Sequence, residues 1–252
     1  MAEKLIVANW KMNFGPEAAA TYTKHLEAKL PAGTKTGVVL CPPSISLTAV
    51  HDALEGKKLQ VGAQNIHYRD EGAFTGEISA AMLHGIAKYT IVGHSERRTM
   101  GEHDKLIAKK VAAAIRNDII PILCVGETLD ERHHDLSVKV VVDQLTSDLH
   151  DLTAEDVSKI VIAYEPVWAI GSGMSATPEQ IEPMIRAIRT TIEDLYGESG
   201  ASGVRVLYGA GVEAEFVKTI LSIDGIEGLL VGGASLIAEK FLGIIAAAEE
   251  LA

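Results

Sequence analysis

The chain has little cysteine. Only Cys41 and Cys124 occur in 252 residues, each inside a short apolar, strand-like run. Two such thiols make no disulfide framework, so both read as buried free thiols, and the expected compartment is cytoplasmic. Cations are short as well: 23 Lys and Arg stand against 34 Asp and Glu, for a formal net charge of −11. That balance argues against nucleic acid and anionic membrane as partners. It also means that an anionic substrate must be drawn in by local donors against the field of the whole molecule. Long apolar runs are missing, none nearing the ~18 residues that a membrane helix needs. The opening MAEKLIVANW carries no cleavage-site pattern, so neither a membrane span nor export is expected. There is no two-Cys, two-His spacing, and therefore no expected metal site.

What the sequence does have is alternation from end to end. Apolar runs at 4–10, 36–41, 59–64, 89–93, 119–126, 159–164, 204–209 and 228–233 read as strands. Amphipathic stretches at 16–29, 44–54, 78–86, 103–116, 130–149, 178–196, 213–221 and 237–249 read as helices. Ser44 after Pro42-Pro43, and Thr177 before Pro178, are expected starts of two of them. Continuous apolar strands signal burial on both faces, hence parallel strands joined by helical crossovers. Eight such units can close into a (β/α)8 barrel, which leaves no sheet edge. An open doubly wound sheet is the alternative, but eight regular units without a long insertion favour closure. No linker divides the chain, so one domain over 1–252 is expected.

Each strand ends in something distinctive: Asn9 and Lys11, Cys41, Gln64-Asn65, His94, Glu127, Glu165, Tyr208 and Gly232-Gly233. In a barrel these ends gather on one face, the face that carries chemistry. Taken singly, each has a plain explanation. Lys11 could be a solvated charge, His94 a cap or a satisfied core residue, Glu165 before Pro166 the closing of a turn, and the glycines turn chemistry. Their convergence on one rim is what favours a site. Three patterns mislead. GSGMSA at 171–176 fits a dinucleotide fingerprint, yet its helix begins only at Pro178, so the glycines do not form the strand-to-helix turn. GHSER has Arg97 where a nucleophile elbow needs its second glycine. His133 and His134 are adjacent and point apart on a helix, which argues against chelation.

Seven stretches, VANWKMN (7–13), GAQN (62–65), GAFTGE (72–77), VGHSERR (92–98), CVGET (124–128), AYEPVWAIGSG (163–173) and LLVGGASL (229–236), together resemble the triosephosphate isomerase family, in the right order and over nearly the whole chain. The resemblance implies a homodimeric aldose–ketose isomerase of glycolysis and gluconeogenesis. It would interconvert dihydroxyacetone phosphate and D-glyceraldehyde 3-phosphate through an enediolate, without a cofactor. It implies Glu165 as base, His94 as a neutral electrophile, Asn9 and Lys11 beside the substrate, and Glu96 as a supporting carboxylate. It also implies phosphate contacts at Gly171, Gly211, Gly232 and Gly233. Residues 166–176 would form a lid, with Pro166, Trp168, Gly173 and Ala176 as its structural positions. Thr75, Glu77 and Arg98 would lie at the dimer interface.

Two positions depart from the family pattern. Gly209–Val212 reads GAGV where Gly-Gly-Ser-Val is usual, and Met174 stands where the lid commonly carries Lys. Both bear on phosphate affinity and lid kinetics more than on the type of reaction. Two rival readings remain: a barrel isomerising or cleaving a larger sugar phosphate, and a catalytically silent barrel. The Lys11, His94 and Glu165 set counts against both.

Overall fold

The computed structural model describes residues 3–54, 59–171 and 175–251. Among these, eight strands run parallel: β1 Leu5–Asn9, β2 Gly37–Cys41, β3 Leu59–Ala63, β4 Tyr89–Val92, β5 Ile120–Val125, β6 Val161–Tyr164, β7 Arg205–Tyr208 and β8 Gly228–Val231. They pair in sequence order, and β8 returns to β1, with Leu5 opposite both Gly37 and Gly228. The sheet is a closed barrel, as the alternation predicts, and no edge is left unpaired.

Around it lie α1 Pro16–Lys29, α2 Leu47–Ala53, α3 Ser95–Thr99, α4 Asp104–Arg116, α5 Leu129–His133, α6 Ser137–Leu149, α7 Ala154–Val157, α8 Pro178–Ala201, α9 Val217–Leu221 and α10 Ala238–Glu249. Several helices differ from expectation: those over 44–54 and 213–221 open with 3₁₀ turns, and α3 and α7 are additional. The stretch 78–86 forms only a 3₁₀ turn, Ala81–Leu83, and Gly85 follows it at φ 78°, where a helix cannot continue. The stretch 130–149 is two helices, α5 and α6, parted at Asp135, whose φ is 56°. The helix expected over 178–196 runs on to Ala201 across a kink at Gly197. Its start is as the sequence implies, with the Gln180 side-chain oxygen accepting the Thr177 amide at 3.0 Å.

The apolar strand runs resolve into two alternating sets. Leu5, Val7, Val39, Cys41, Ile91, Ile122, Cys124, Val161, Ala163, Leu207 and Leu230 fill the barrel interior with Tyr89. Their neighbours, among them Ile6, Ala8, Leu40, Val92, Leu123, Ile162 and Val206, face the helices. Both thiols are free and buried, and burial pushes their pKa values up. The inward phase carried two residues onward reaches Asn9 after Val7, Glu165 after Ala163, Gly209 after Leu207 and Gly232 after Leu230. Strand periodicity alone therefore aims these residues at the barrel mouth.

Candidate active site

Asn9, at the end of β1, is buried, and its side-chain oxygen accepts the Lys11 amide at 3.1 Å. Gln64 donates to the Lys11 carbonyl at 2.8 Å. Between these two bonds Lys11 is held at φ 51°, a left-handed conformation that costs a non-glycine residue about 1–3 kcal/mol. The result is a lysine head aimed back across the rim, where its Nζ meets Glu96 Oε1 at 2.5 Å.

His94 is the N-cap of α3, and its Nδ1 accepts the Glu96 amide at 3.2 Å. Its other nitrogen, Nε2, lies 3.1 Å from Glu165 Oε1. Glu165 is itself buried, and its second oxygen accepts the Ser95 amide at 3.1 Å. Burial pushes the Glu165 pKa up, but His94, the Ser95 amide and Lys11 outweigh it and hold the carboxyl below its usual range. Burial favours a neutral His94, yet the Glu165 carboxylate, with Glu96 behind it, pulls the ring's pKa above its usual value. Protonating Nδ1 would also break the bond from the Glu96 amide.

Two glycines make room for Glu165, one for its side chain and one for its backbone. A Cβ on Gly209 would sit 3.1 Å from Glu165 Cγ, and one on Gly126 only 1.7 Å from the Glu165 carbonyl oxygen. Position 126 has no space for a larger side chain, and at 209 one would press on the Glu165 side chain. Gly232 packs along the lysine stem, its notional Cβ 3.6 Å from Lys11 Cε. A cavity of about 550 Å³ opens above these groups. Asn9, Lys11, His94 and Glu165 line it together with Gly171, Gly211, Gly232 and Gly233. These eight residues share one cavity, whereas Glu96 lines the neighbouring groove. Gly211 is not one of the described residues with a left-handed φ.

The segment after Glu165 is tied at both ends. Trp168 donates its indole N–H to Glu127 at 2.8 Å, and the Arg132 guanidinium lies 4.9 Å over the indole ring. Glu127, fully buried at the end of β5, also accepts from Tyr164 at 3.1 Å and from Arg132 at 2.8 Å. Pro166 precedes a 3₁₀ turn over Val167–Ala169. At the far end the Ala176 amide reaches the Tyr208 phenol, whose pKa burial has pushed up to about 12. Gly173 and Met174 lie outside the described residues. The sequence marks Glu127 as a strand-end carboxylate but gives it no task; its signal is the downstream Arg132 and Trp168, which only the fold brings to it.

The loop 72–77 is exposed along its length, Thr75 and Glu77 included. Beside it runs a groove of about 430 Å³ lined by Lys11, Met12, Asn65, Glu77, Arg97 and Met100. Arg98, expected at the dimer interface, does not line that groove. Its guanidinium turns inward, to the Gly93 carbonyl at 2.8 Å, the Cys124 carbonyl at 3.1 Å and Asp148 at 2.8 Å, and it also pairs with Asp104. Its charge is thus satisfied on four sides within this chain. Its neighbour Arg97, paired with Glu102, is the arginine on the groove wall. Among the described residues no cluster of His, Cys, Asp and Glu could hold a metal ion, and no helix is long and apolar enough to cross a membrane.

The closed barrel and the charged cavity at the C-terminal ends of its strands are those of a (β/α)8-barrel enzyme. The family model described as triosephosphate isomerase matches residues 4–248. Curated proteins named triosephosphate isomerase match over nearly their full length. The one from Lactobacillus delbrueckii subsp. lactis is 43% identical over 243 residues, 96% of each chain. That of Clostridium botulinum (strain Loch Maree / Type A3) is 44% identical over 247 residues, 97% of this chain and 99% of its own. That of Ligilactobacillus salivarius (strain UCC118) is 42% identical over 247 residues, 97% of this chain and 98% of its own. This chain belongs to the triosephosphate isomerase family and is an isomerase.

Proposed function

We propose that this isomerase interconverts dihydroxyacetone phosphate and D-glyceraldehyde 3-phosphate through an enediolate, with Glu165 as the base. The observation that carries the reading is the Glu165–His94 contact of 3.1 Å at the wall of a cavity shared with Lys11 and the glycine turns. The reaction moves one proton between adjacent carbons and a second between their oxygens. A single carboxylate over both carbons can take the first proton and return it. As it does so, negative charge grows on the carbonyl oxygen. His94 Nε2–H, the Asn9 amide and the Lys11 ammonium are the donors placed to meet that charge.

Glu165 leaves His94 to reach the substrate. The upward pull on the ring then weakens, while the Glu96 amide stays at Nδ1 and keeps the neutral form, whose one proton sits on Nε2. A neutral imidazole matches the modest acidity of an enediol better than an imidazolium would. Glu96 steadies the Lys11 head. The phosphate dianion is held by the amides of Gly171, Gly211, Gly232 and Gly233, pre-aimed dipoles that do not depend on the acidic whole molecule. Pro166, Trp168 and Ala176 belong to a lid over 166–176 whose closure excludes water and retains the enediol phosphate. Proton transfers alone complete the reaction, so no redox cofactor is required.

The working form is a homodimer in the cytoplasm. Support comes from the exposed apolar side chains around the groove: Met12 is 95% exposed, Met100 78% and Ile45 75%. The exposed loop carrying Thr75 and Glu77 is the segment that such a groove would receive. No nucleic acid or membrane partner is proposed, given the net charge of −11. An assay with glyceraldehyde 3-phosphate, coupled to reduction of dihydroxyacetone phosphate, tests the reaction. An inactive pure protein, or one that turns over only a larger sugar phosphate, would reject it.

A further inference from the structure

We infer that Gln144, on α6, is a positioning residue for the base and for the anchor of the lid, acting through the backbone of Gly126. The inference rests on Glu165 being the base. Pairing between β4 and β5 ends at Val92 opposite Leu123, because the chain then turns through Gly93 into α3. The segment 124–127 therefore runs on with a strand on one side only. On the β6 side its ladder continues, with the Glu165 amide on the Val125 carbonyl at 2.8 Å and the Val167 amide on the Glu127 carbonyl at 3.0 Å. Strand alternation turns the N–H and C=O of Gly126 the other way, to the side that β4 has left.

Gln144 fills that gap with both ends of its carboxamide. Its Oε1 accepts the Gly126 amide at 2.8 Å, and its Nε2 donates to the Gly126 carbonyl at 3.2 Å. A primary amide carries one donor and one acceptor group side by side, so one side chain does the work of a missing strand. Left without it, two partly buried backbone groups would seek other partners by shifting.

The position of Gly126 matters because nothing separates it from the base. With a notional Cβ 1.7 Å from the Glu165 carbonyl oxygen, the two backbones are in van der Waals contact, and a shift in one is passed to the other. The next residue is Glu127, which holds Trp168 and Tyr164. One clamp thus registers the base and the lid anchor together. Gln144 needs no contact with substrate to affect turnover, since a misplacement of about 1 Å at a proton-transfer site can cost roughly 100-fold.

The test is Gln144→Met, which keeps length and loses both bonds, beside Gln144→Glu, which keeps an acceptor for the Gly126 amide. The expected result is a fall in kcat of about 10- to 100-fold in the methionine variant, with partial recovery in the glutamate variant. Competitive inhibition by inorganic phosphate, whose proposed contacts lie on the loops after β6, β7 and β8, should stay within about twofold. Wild-type protein without isomerase activity would remove the reading beneath the inference. Active wild type with unchanged kcat in Gln144→Met would overturn the inference itself. Parallel loss of kcat and phosphate affinity, or failure of both variants to fold, would assign Gln144 to the scaffold and overturn it equally.

Discussion

Glu165 and His94 touch at 3.1 Å, and each carries its own backbone tether: the Ser95 amide on Glu165 at 3.1 Å and the Glu96 amide on His94 at 3.2 Å. Consecutive amides at the start of one short helix thus serve two side chains, the helix's own N-cap after β4 and the carboxylate after β6, two strands away. The same first turn stabilises the carboxylate and opposes the imidazolium, because both groups receive hydrogens rather than give them. The carboxylate rests on the ring beside which it is proposed to act.

Shortening that carboxylate tests its role. Glu165→Asp withdraws the oxygens by about one bond length, toward the space beside Gly209. Turnover should fall by about 100-fold or more, with thermal unfolding little changed. Near-normal kcat in a folded variant would remove Glu165 from proton transfer.

The contact also sets an electrostatic expectation for His94. Its pKa is pulled above the usual value by Glu165 against the effect of burial. Glu165→Gln removes the charge, so the ring should titrate at lower pH than in wild type. Nitrogen NMR of both proteins, labelled at histidine, reads this directly. An unmoved or rising pKa in the variant would show that Glu165 does not govern the ring.

Asp148 gives a stability prediction. Burial lifts its pKa to about 7, against the pull of Arg98 and with a push from Asp104. In the unfolded chain its value is near 3.9. Between about pH 4 and 7 the folded protein keeps a proton that the unfolded chain has released. This group's contribution is therefore fully present below about pH 4, declines as pH rises, and is lost above about 7. Asp148→Asn abolishes the titration. Its stability relative to wild type should improve by about 1–3 kcal/mol from pH 5 to pH 8 in urea unfolding. A difference independent of pH would mean that Asp148 ionises as it does in the unfolded chain.

The proposed dimer can be broken at its exposed loop. Thr75→Arg places a charge where a partner's groove should receive a small side chain, and a desolvated, unpaired guanidinium is strongly unfavourable. Sedimentation should show monomers, and activity should fall with them, because the groove includes Lys11 and Glu96. Fully active monomers would separate the interface from the site.

The sequence by itself determined the barrel and its rim. Eight apolar runs, each ending near a polar or glycine residue, leave few alternatives once strands alternate with helices, and the two-residue period aims Asn9 and Glu165 inward without further information. It misjudged local breaks, such as the helix expected over 78–86 and the interruption at Asp135, because the apolar pattern does not reveal where the backbone takes a positive φ. Tertiary structure alone decided the polar partnerships. Arg98 and Arg97 are equivalent as letters, yet one is drawn to the buried Asp148 and the other faces a groove. Gln144 reads as an ordinary helical glutamine until β4 turns away and leaves Gly126 without a neighbour. Glu127 becomes an anchor only when Arg132, Tyr164 and Trp168 converge on it. Periodicity is a property of neighbouring residues and survives in one dimension. A hydrogen bond between strand and helix depends on three-dimensional registry, which the chain acquires only by closing the barrel.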